Sequence, residues 1–175
     1  MKKHIITMVI IATTITVNGQ TQSPSEIAKK WKEIQACCDK YDDGADSAYR
    51  ILNEQLAATK RDPVANAIWH SCMAQFLDDY YNGNRYRLRQ RTEVADETPA
   101  DFKEWDARTF QRRAREEYLL SLKNAKALQA VDAKECGELL FKIDNQLQVK
   151  TLYEVLAYRA IDFAISLCHF LIFLG

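Results

Sequence analysis

Apolar residues return at steps of three and four along most of this chain. Ile27, Trp31, Ile34 and Cys38 form one such stripe, and Tyr49, Leu52 and Leu56 a second. Ala65, Ile68, Trp69, Cys72, Phe76, Leu77 and Tyr80 make the clearest one. Phe102 and Trp105 begin a long segment that continues through Phe110, Ala114, Tyr118 and Leu122. Leu152, Val155, Leu156, Ala160 and Phe163 make the last. Steps of three and four place side chains on one helix face. No segment alternates apolar and polar residues between turn signals, as a half-buried strand would. The pattern predicts an all-α fold of five or six helices packed as antiparallel hairpins. The links fall at Asp42–Gly44, Lys60–Asp62, Asn82–Pro99 and Ile143–Lys150. A TPR-like array stays open, although no repeat of roughly 30 to 50 residues stands out.

The predicted helix starts carry their own chemistry. In a capping box, a short polar side chain and an acid three residues later satisfy backbone donors that the first turn leaves without partners. Ser23 with Glu26, Thr98 with Asp101, Asp132 with Glu135, and Thr151 with Glu154 fit that pattern. Asp62-Pro63 is a fifth start, with Asp as the cap and Pro at the first helical position. All three prolines (Pro24, Pro63 and Pro99) sit at such starts.

The first twenty residues follow a different grammar. Lys2 and Lys3 precede an apolar run from Ile5 to Val17, and Val17-Asn18-Gly19 offers small residues before a cut. That is the layout of a secretory signal peptide, expected over 1–19. The run is shorter than the roughly 20 apolar residues a membrane span needs. No Cys follows it closely, which disfavours a bacterial lipoprotein anchor. The expected location is therefore outside the cytoplasm: periplasmic or extracellular, or associated with the cell envelope.

Composition narrows the class further. The 175 residues carry 24 Lys plus Arg and 24 Asp plus Glu, which excludes a strongly basic nucleic-acid binder. Five glycines and three prolines are too few for a turn-rich sandwich or barrel. With 47% hydrophobic residues the chain can bury a core. Cys37, Cys38, Cys72, Cys136 and Cys168 are odd in number, so they cannot all pair within one chain. Cys37 and Cys38 are adjacent, an awkward geometry for a mutual bond. Mostly unpaired, buried thiols are expected, although an exported compartment would permit disulfides.

Four clusters suggest chemistry, and each has a plainer explanation. Asp39, Asp43 and Gly44 fit positions one, five and six of a calcium loop, but Tyr41 and Arg50 then occupy positions that need carboxylates. A turn between helices explains them better. His70, Ser71 and Cys72 are consecutive, and helical neighbours diverge, so they do not form a nucleophile and base. His70 reads as a surface or packed histidine; His4 lies in the leader and His169 is the third. No zinc spacing of His and Cys occurs. Arg85, Arg87, Arg89 and Arg91 alternate with Tyr86 and Leu88, then Glu93, Asp96 and Glu97 follow. This reads as a solvated basic strip in a linker, with contact to an anion or partner as the alternative. Cys136-Gly137-Glu138-Leu139 matches a Cys-x-Glu-Gln thioester motif in three of four positions, but Leu139 has no carboxamide to form the bond. No residue is therefore assigned to catalysis, cofactor binding or a metal, no cofactor is expected, and the chain does not read as an enzyme.

Several strings are more specific. Ile68-Trp69-His70-Ser71, Ala74-Gln75, Tyr80-Tyr81, Asn84-Arg85-Tyr86 and Arg91-Thr92 form one group. Phe102-Lys103-Glu104-Trp105-Asp106 and Tyr118-Leu119-Leu120-Ser121-Leu122 form the next. The last runs from Thr151 to Phe163, Thr151-Leu152-Tyr153-Glu154-Val155-Leu156-Ala157-Tyr158-Arg159-Ala160-Ile161-Asp162-Phe163. Together they resemble the helical region near the N-terminus of bacterial alpha-2-macroglobulin family proteins, in order and spacing, over roughly residues 25–163. The resemblance implies an exported protease trap. Members of that family are many times longer, with tandem β-sandwich domains, a bait segment and often a thioester. None of those parts is present in this sequence, so the resemblance implies location and architecture and carries over no functional residue.

After Phe163 the amphipathic pattern stops, and residues 164–175 are apolar on every face. The expected organisation is a signal peptide over 1–19, a helical domain over 20–163 and an apolar tail over 164–175. A truncation or frameshift of a longer inhibitor would explain the tail. A membrane anchor is the rival, disfavoured by about twelve apolar residues where roughly 20 are needed, and by Asp162 inside any longer span. The functional expectation is an inhibitor fragment that lacks bait and thioester regions and is inactive alone. The alternative is a free-standing exported module that binds protein partners through its aromatic faces or the Arg85–Arg91 strip. Nucleic acid is not an expected partner, and membrane contact is expected only through the tail. An exposed apolar tail is an association hazard. Deleting Ala164–Gly175 is expected to reduce self-association in size-exclusion chromatography, and an unchanged profile would mean that the tail is packed.

Overall fold

The computed structural model describes residues 22–40, 43–91, 98–137 and 149–172. The leader, Glu93, Asp96 and Glu97, the Glu138-Leu139 half of the thioester-like motif and most of the Ile143–Lys150 link lie outside them. The described residues form six α-helices: α1 Pro24–Lys40, α2 Gly44–Ala58, α3 Pro63–Arg89, α4 Ala107–Ser121, α5 Ala125–Gln129 and α6 Leu152–Ile172. Two 3-10 turns, Phe102–Glu104 and Ala133–Cys136, complete them. The fold is all-α, as the periodicity predicts.

α3 is the centre. It packs against α1, α2, α4, α5 and α6. Its stripe residues from Ala65 to Leu77 are buried and Tyr80 is partly buried; Ala67, Ser71, Met73 and Ala74 between them are buried too. A helix whose middle is buried this far round is surrounded there by partners rather than laid on a surface. The small residues in that set let neighbouring backbones come close.

Three predicted starts form as expected. Glu26 N donates to Ser23 Oγ (3.3 Å) while Ser23 N donates to Glu26 Oε2 (2.9 Å). The Asp62 carboxylate accepts from Val64 N and Ala65 N ahead of α3. Glu154 N donates to Thr151 Oγ1, and Lys150 N and Thr151 N donate to Glu154 Oε2. The other two differ. Thr98 does not open a helix; its hydroxyl accepts from Arg112 (2.8 Å), and Asp101 instead caps the first 3-10 turn through Lys103 N. Asp132 likewise caps only the second 3-10 turn, through Lys134 N.

Two boundaries also move. The expected link at Asn82–Pro99 begins too early, because α3 runs on through Asn82-Gly83-Asn84 to Arg89. Tyr81 and Leu88, seven residues apart and both buried, anchor the extension. Asn84 bonds back to the Tyr80 carbonyl (2.9 Å). Burial of these two side chains outweighs a helix cost near 1 kcal/mol for glycine. Conversely, the segment expected to run unbroken from Phe102 to Leu122 is interrupted. Trp105 is extended, and α4 begins only after Asp106 caps Thr109 N (2.7 Å). α4 ends at Ser121, and α5 is a separate short helix.

The interruption serves packing. It turns Phe102 into a ring cluster with Tyr49, Phe76, Tyr80 and Phe110, with centroids 4.6 to 6.4 Å apart. Arg91 holds the same turn by donating to the carbonyls of Lys103 and Trp105, and Trp105 Nε1 donates to Pro99 O (2.7 Å). Lys103 pairs with Asp46 of α2 at 2.7 Å. Nearer the C-terminus, an isolated bridge between Asp132 and Thr151 sets where α6 starts.

α6 carries on through the expected boundary at residue 163 to Ile172. Leu167 leans on the core, while Ala164, Ile165, Ser166 and Cys168 are exposed. No helix among the described residues is long and apolar enough to cross a membrane.

Two glycines give opposite expectations. Nothing lies within 4 Å of a Cβ built on Gly83, so Gly83→Ala should stabilise the fold by about 0.5–1 kcal/mol. A Cβ on Gly44 would sit 2.4 Å from the Cys37 carbonyl oxygen and 2.8 Å from Cys38 Cα, both backbone atoms of α1. Gly44→Ala should therefore destabilise by about 1–3 kcal/mol. Urea unfolding midpoints of the two variants check both signs.

Candidate functional site

A set of buried and half-buried polar groups lies where α3 faces α4 and α6. His70 Nδ1 meets Glu117 Oε2 at 2.6 Å, with side chains 18% and 8% exposed. Arg113, one turn earlier on α4, reaches the other oxygen of Glu117 at 3.8 Å. Farther along, Arg159 of α6 donates to Gln75 Oε1 of α3. The same guanidinium acts on the Cys72 thiol and the Tyr118 phenol. The Tyr118 and Phe163 rings pack with centroids 5.1 Å apart and planes tilted by 36°. Asp78, Asp79, Asn82 and Asp162 lie at this end of the seam.

Burial sets the acid–base character. The Cys72 thiol is pushed up to about 12 by desolvation, and Arg159 only partly offsets this. Burial also pushes the Tyr118 hydroxyl to about 12. The Asp78 carboxyl rises to about 6, first through burial, then through the neighbouring Asp79 charge; a bond from Asn82 opposes the rise and Asp162 adds to it. At neutral pH, Cys72 is a thiol rather than a thiolate, and the thiolate is the nucleophile. His70 and Glu117 match two members of a nucleophile–His–acid triad. Among the described residues no hydroxyl or thiol hydrogen-bonds the other ring nitrogen. Ser71 Oγ is buried without a hydrogen-bond partner. The three consecutive residues thus go separate ways, as helical geometry requires. Among the described residues no group of three His, Cys, Asp or Glu could hold a metal ion.

The remaining candidates disperse. Gly44 is buried under α1 and Asp43 is exposed at the start of α2. Arg50 pairs with Glu54 at 2.7 Å. The side chains of Asp39 and Tyr41 lie outside the described residues. Arg85, Arg87, Arg89 and Arg91 are not in a linker: the first three lie in the last turns of α3 and Arg91 follows directly. Arg87 bonds Tyr80 Oη and Asn84 Oδ1, and cations there suit the negative end of the helix dipole. Tyr86, 81% exposed, projects among them. Cys136 is buried and pushed up to about 11, mainly by desolvation, and Gly137 beside it has φ +64°. All five cysteines are free thiols, but Cys37 and Cys168 are exposed, which corrects the expectation that they are buried.

Sequence reasoning missed Glu117 and Arg159, and a signal for both existed. Glu117 follows Phe110 and Ala114 in the buried register of α4, and Arg159 follows Leu152, Val155 and Leu156 in that of α6. A charged residue on an apolar stripe must find a partner inside.

No known family pattern, curated protein or solved structure matches this chain.

Accessibility and thiol character together predict an order of reaction. Iodoacetamide at neutral pH should modify Cys37 and Cys168 in the folded protein and leave Cys72 and Cys136 untouched until denaturant is added. Peptide mass mapping checks this. Early labelling of Cys72 would mean that the α3–α6 seam opens readily.

Proposed function

We propose that this chain is a non-catalytic helical module of an exported protease-trapping protein of the alpha-2-macroglobulin type, and that it does not trap proteases alone. One observation carries the reading. The strings that resemble that family lie far apart in sequence, yet their residues meet one another. Gln75 accepts from Arg159, Tyr118 packs on Phe163, and Arg91 holds the carbonyls of Lys103 and Trp105. Each pair joins two different strings of the resemblance. These contacts help to position α4, α6 and the first 3-10 turn on α3.

Trapping needs a cleavable bait and a large collapsing body. A small helical bundle supplies neither, so its role is to be a packing platform for protein partners. The sequence of the leader supports export. A second reading, a free-standing interaction module, is favoured by Ile161 and Ile165. These two side chains, 55% and 50% exposed, lie four residues apart on one face of α6. A partner would cover such a face.

The test has two arms. Incubated with a broad-specificity protease, the isolated chain should give no protease-bound band on a native gel; a retained, active-site-competent protease would overturn the claim of inactivity. The gene should then be sequenced onward through the Gly175 codon. A frame encoding β-rich domains and a bait segment is the expected result. Absence of such coding sequence in any frame would leave the free-standing module.

A further inference from the structure

The last two turns of α3 are held to the bundle along one side only. Tyr81 and Leu88 are buried, whereas Asn82, Arg85, Tyr86, Arg87, Arg89 and Gln90 are exposed. At about 100° per residue, Tyr86 falls on the side opposite the buried pair. Its ring is 81% exposed, well above Leu119 at 59%. Gly83, one turn earlier on the same side, has nothing within 4 Å of a Cβ built on it, so no described element covers this side. From Asn82 to Arg91 the sequence carries four arginines and no Asp or Glu. Arg87 is held by neutral groups: its Nη2 donates to Tyr80 Oη at 3.3 Å and to Asn84 Oδ1 at 3.0 Å. Its position is thus set while its charge meets no carboxylate among the described residues. Arg91 likewise donates to backbone carbonyls, those of Lys103 and Trp105. Arg85 and Arg89 have partners of their own and add charge to the same ridge.

We propose that this tip of α3 is a docking ridge for an acidic segment of a protein partner, with the Tyr86 ring as its apolar anchor and Arg87 as the cation that meets the partner's carboxylates. Tyrosine and arginine are the side chains that most often carry interface energy, the ring because it buries area at little entropic cost, the guanidinium because its planar fork matches a carboxylate. Charge complementarity selects the partner: a ridge with four cations and no anion fits a segment of the opposite sign. Its shape and setting select a polypeptide. The ridge is one helix wide and roughly 10 Å long from Asn82 to Arg89, which suits a groove or a strand of side chains rather than a flat membrane surface. The chain as a whole balances 24 cations against 24 anions, so it lacks the broad positive field that holds a nucleic-acid backbone. Docking at this tip requires neither a bait segment nor a thioester, and it stands apart from the Ile161–Ile165 face of α6.

Fluorescence anisotropy of the intact chain with a fluorescein-labelled peptide of repeating Glu-Glu-Leu tests this, beside a matched peptide of repeating Lys-Lys-Leu, a labelled single-stranded DNA and vesicles containing phosphatidylserine. The glutamate peptide should bind, more weakly as salt is raised, and the lysine peptide should not. Tyr86→Ala and Arg87→Ala should each weaken binding roughly tenfold, the loss expected of an interface anchor. Both alter exposed side chains, and circular dichroism checks that the helices persist. Arg50→Ala, which removes an exposed cation paired with Glu54 on α2, should leave binding unchanged. Lack of binding to the glutamate peptide would overturn the proposal, as would equal binding by the Tyr86 and Arg87 variants. So would binding of DNA or vesicles in preference to the peptide. Binding that appears only when Glu93, Asp96 and Glu97 are all replaced by Ala would assign the ridge to the chain's own acids and overturn it too.

Discussion

Everything in this bundle depends on the burial of the middle of α3, from Ala65 to Leu77. Ile68, Trp69, Cys72, Met73, Ala74 and Leu77 are all almost inaccessible to water. A helix in that position needs partners around its whole circumference. α1 and α2 cover part of it, α4 runs along much of its length, and α5 and α6 close the remainder. The interior can also accept few polar groups. Most of those it does accept find a partner, as Trp69 Nε1 does by donating to Gln22 at 2.9 Å and Ser121 Oγ by donating to the Tyr118 carbonyl at 2.6 Å.

The aromatic cluster around Phe102 shows how an irregular segment becomes structural. A continuous helix from Phe102 onward would carry that ring round a cylinder. The 3-10 turn and the extended Trp105 instead place it among Tyr49, Phe76, Tyr80 and Phe110, drawn from three helices. Edge-to-face and offset ring pairs add to the area that each ring buries. The backbone groups left open by the interruption are taken up by Arg91 and by the Asp101 and Asp106 caps.

The polar seam is built from the same logic with different side chains. Glu117 and Arg159 stand in registers that otherwise hold apolar residues, and each is matched by a group on α3: His70 for one, Gln75 for the other. Such contacts rarely add much net stability, because the groups give up water to make them. They do fix how far each helix may slide, since a shift of one turn would strand a buried charge. This is a positioning role.

The sequence by itself determined the helical class, the caps at Ser23, Asp62 and Thr151, and the placement of every proline at or just ahead of a start. These are local matters, decided by neighbours within four residues, so pattern and propensity suffice. The tertiary structure decided the rest. It carried α3 through Asn82-Gly83-Asn84 because Tyr81 and Leu88 could be buried together. It broke the next segment at Trp105 because Phe102 was worth more among other rings than in a regular turn. It joined His70 to Glu117 across 47 positions of sequence. Propensity differs among residues by fractions of a kcal/mol, whereas burial of one large side chain is worth about 1.5–3 kcal/mol. Where the two disagree, the contacts that only folding creates prevail.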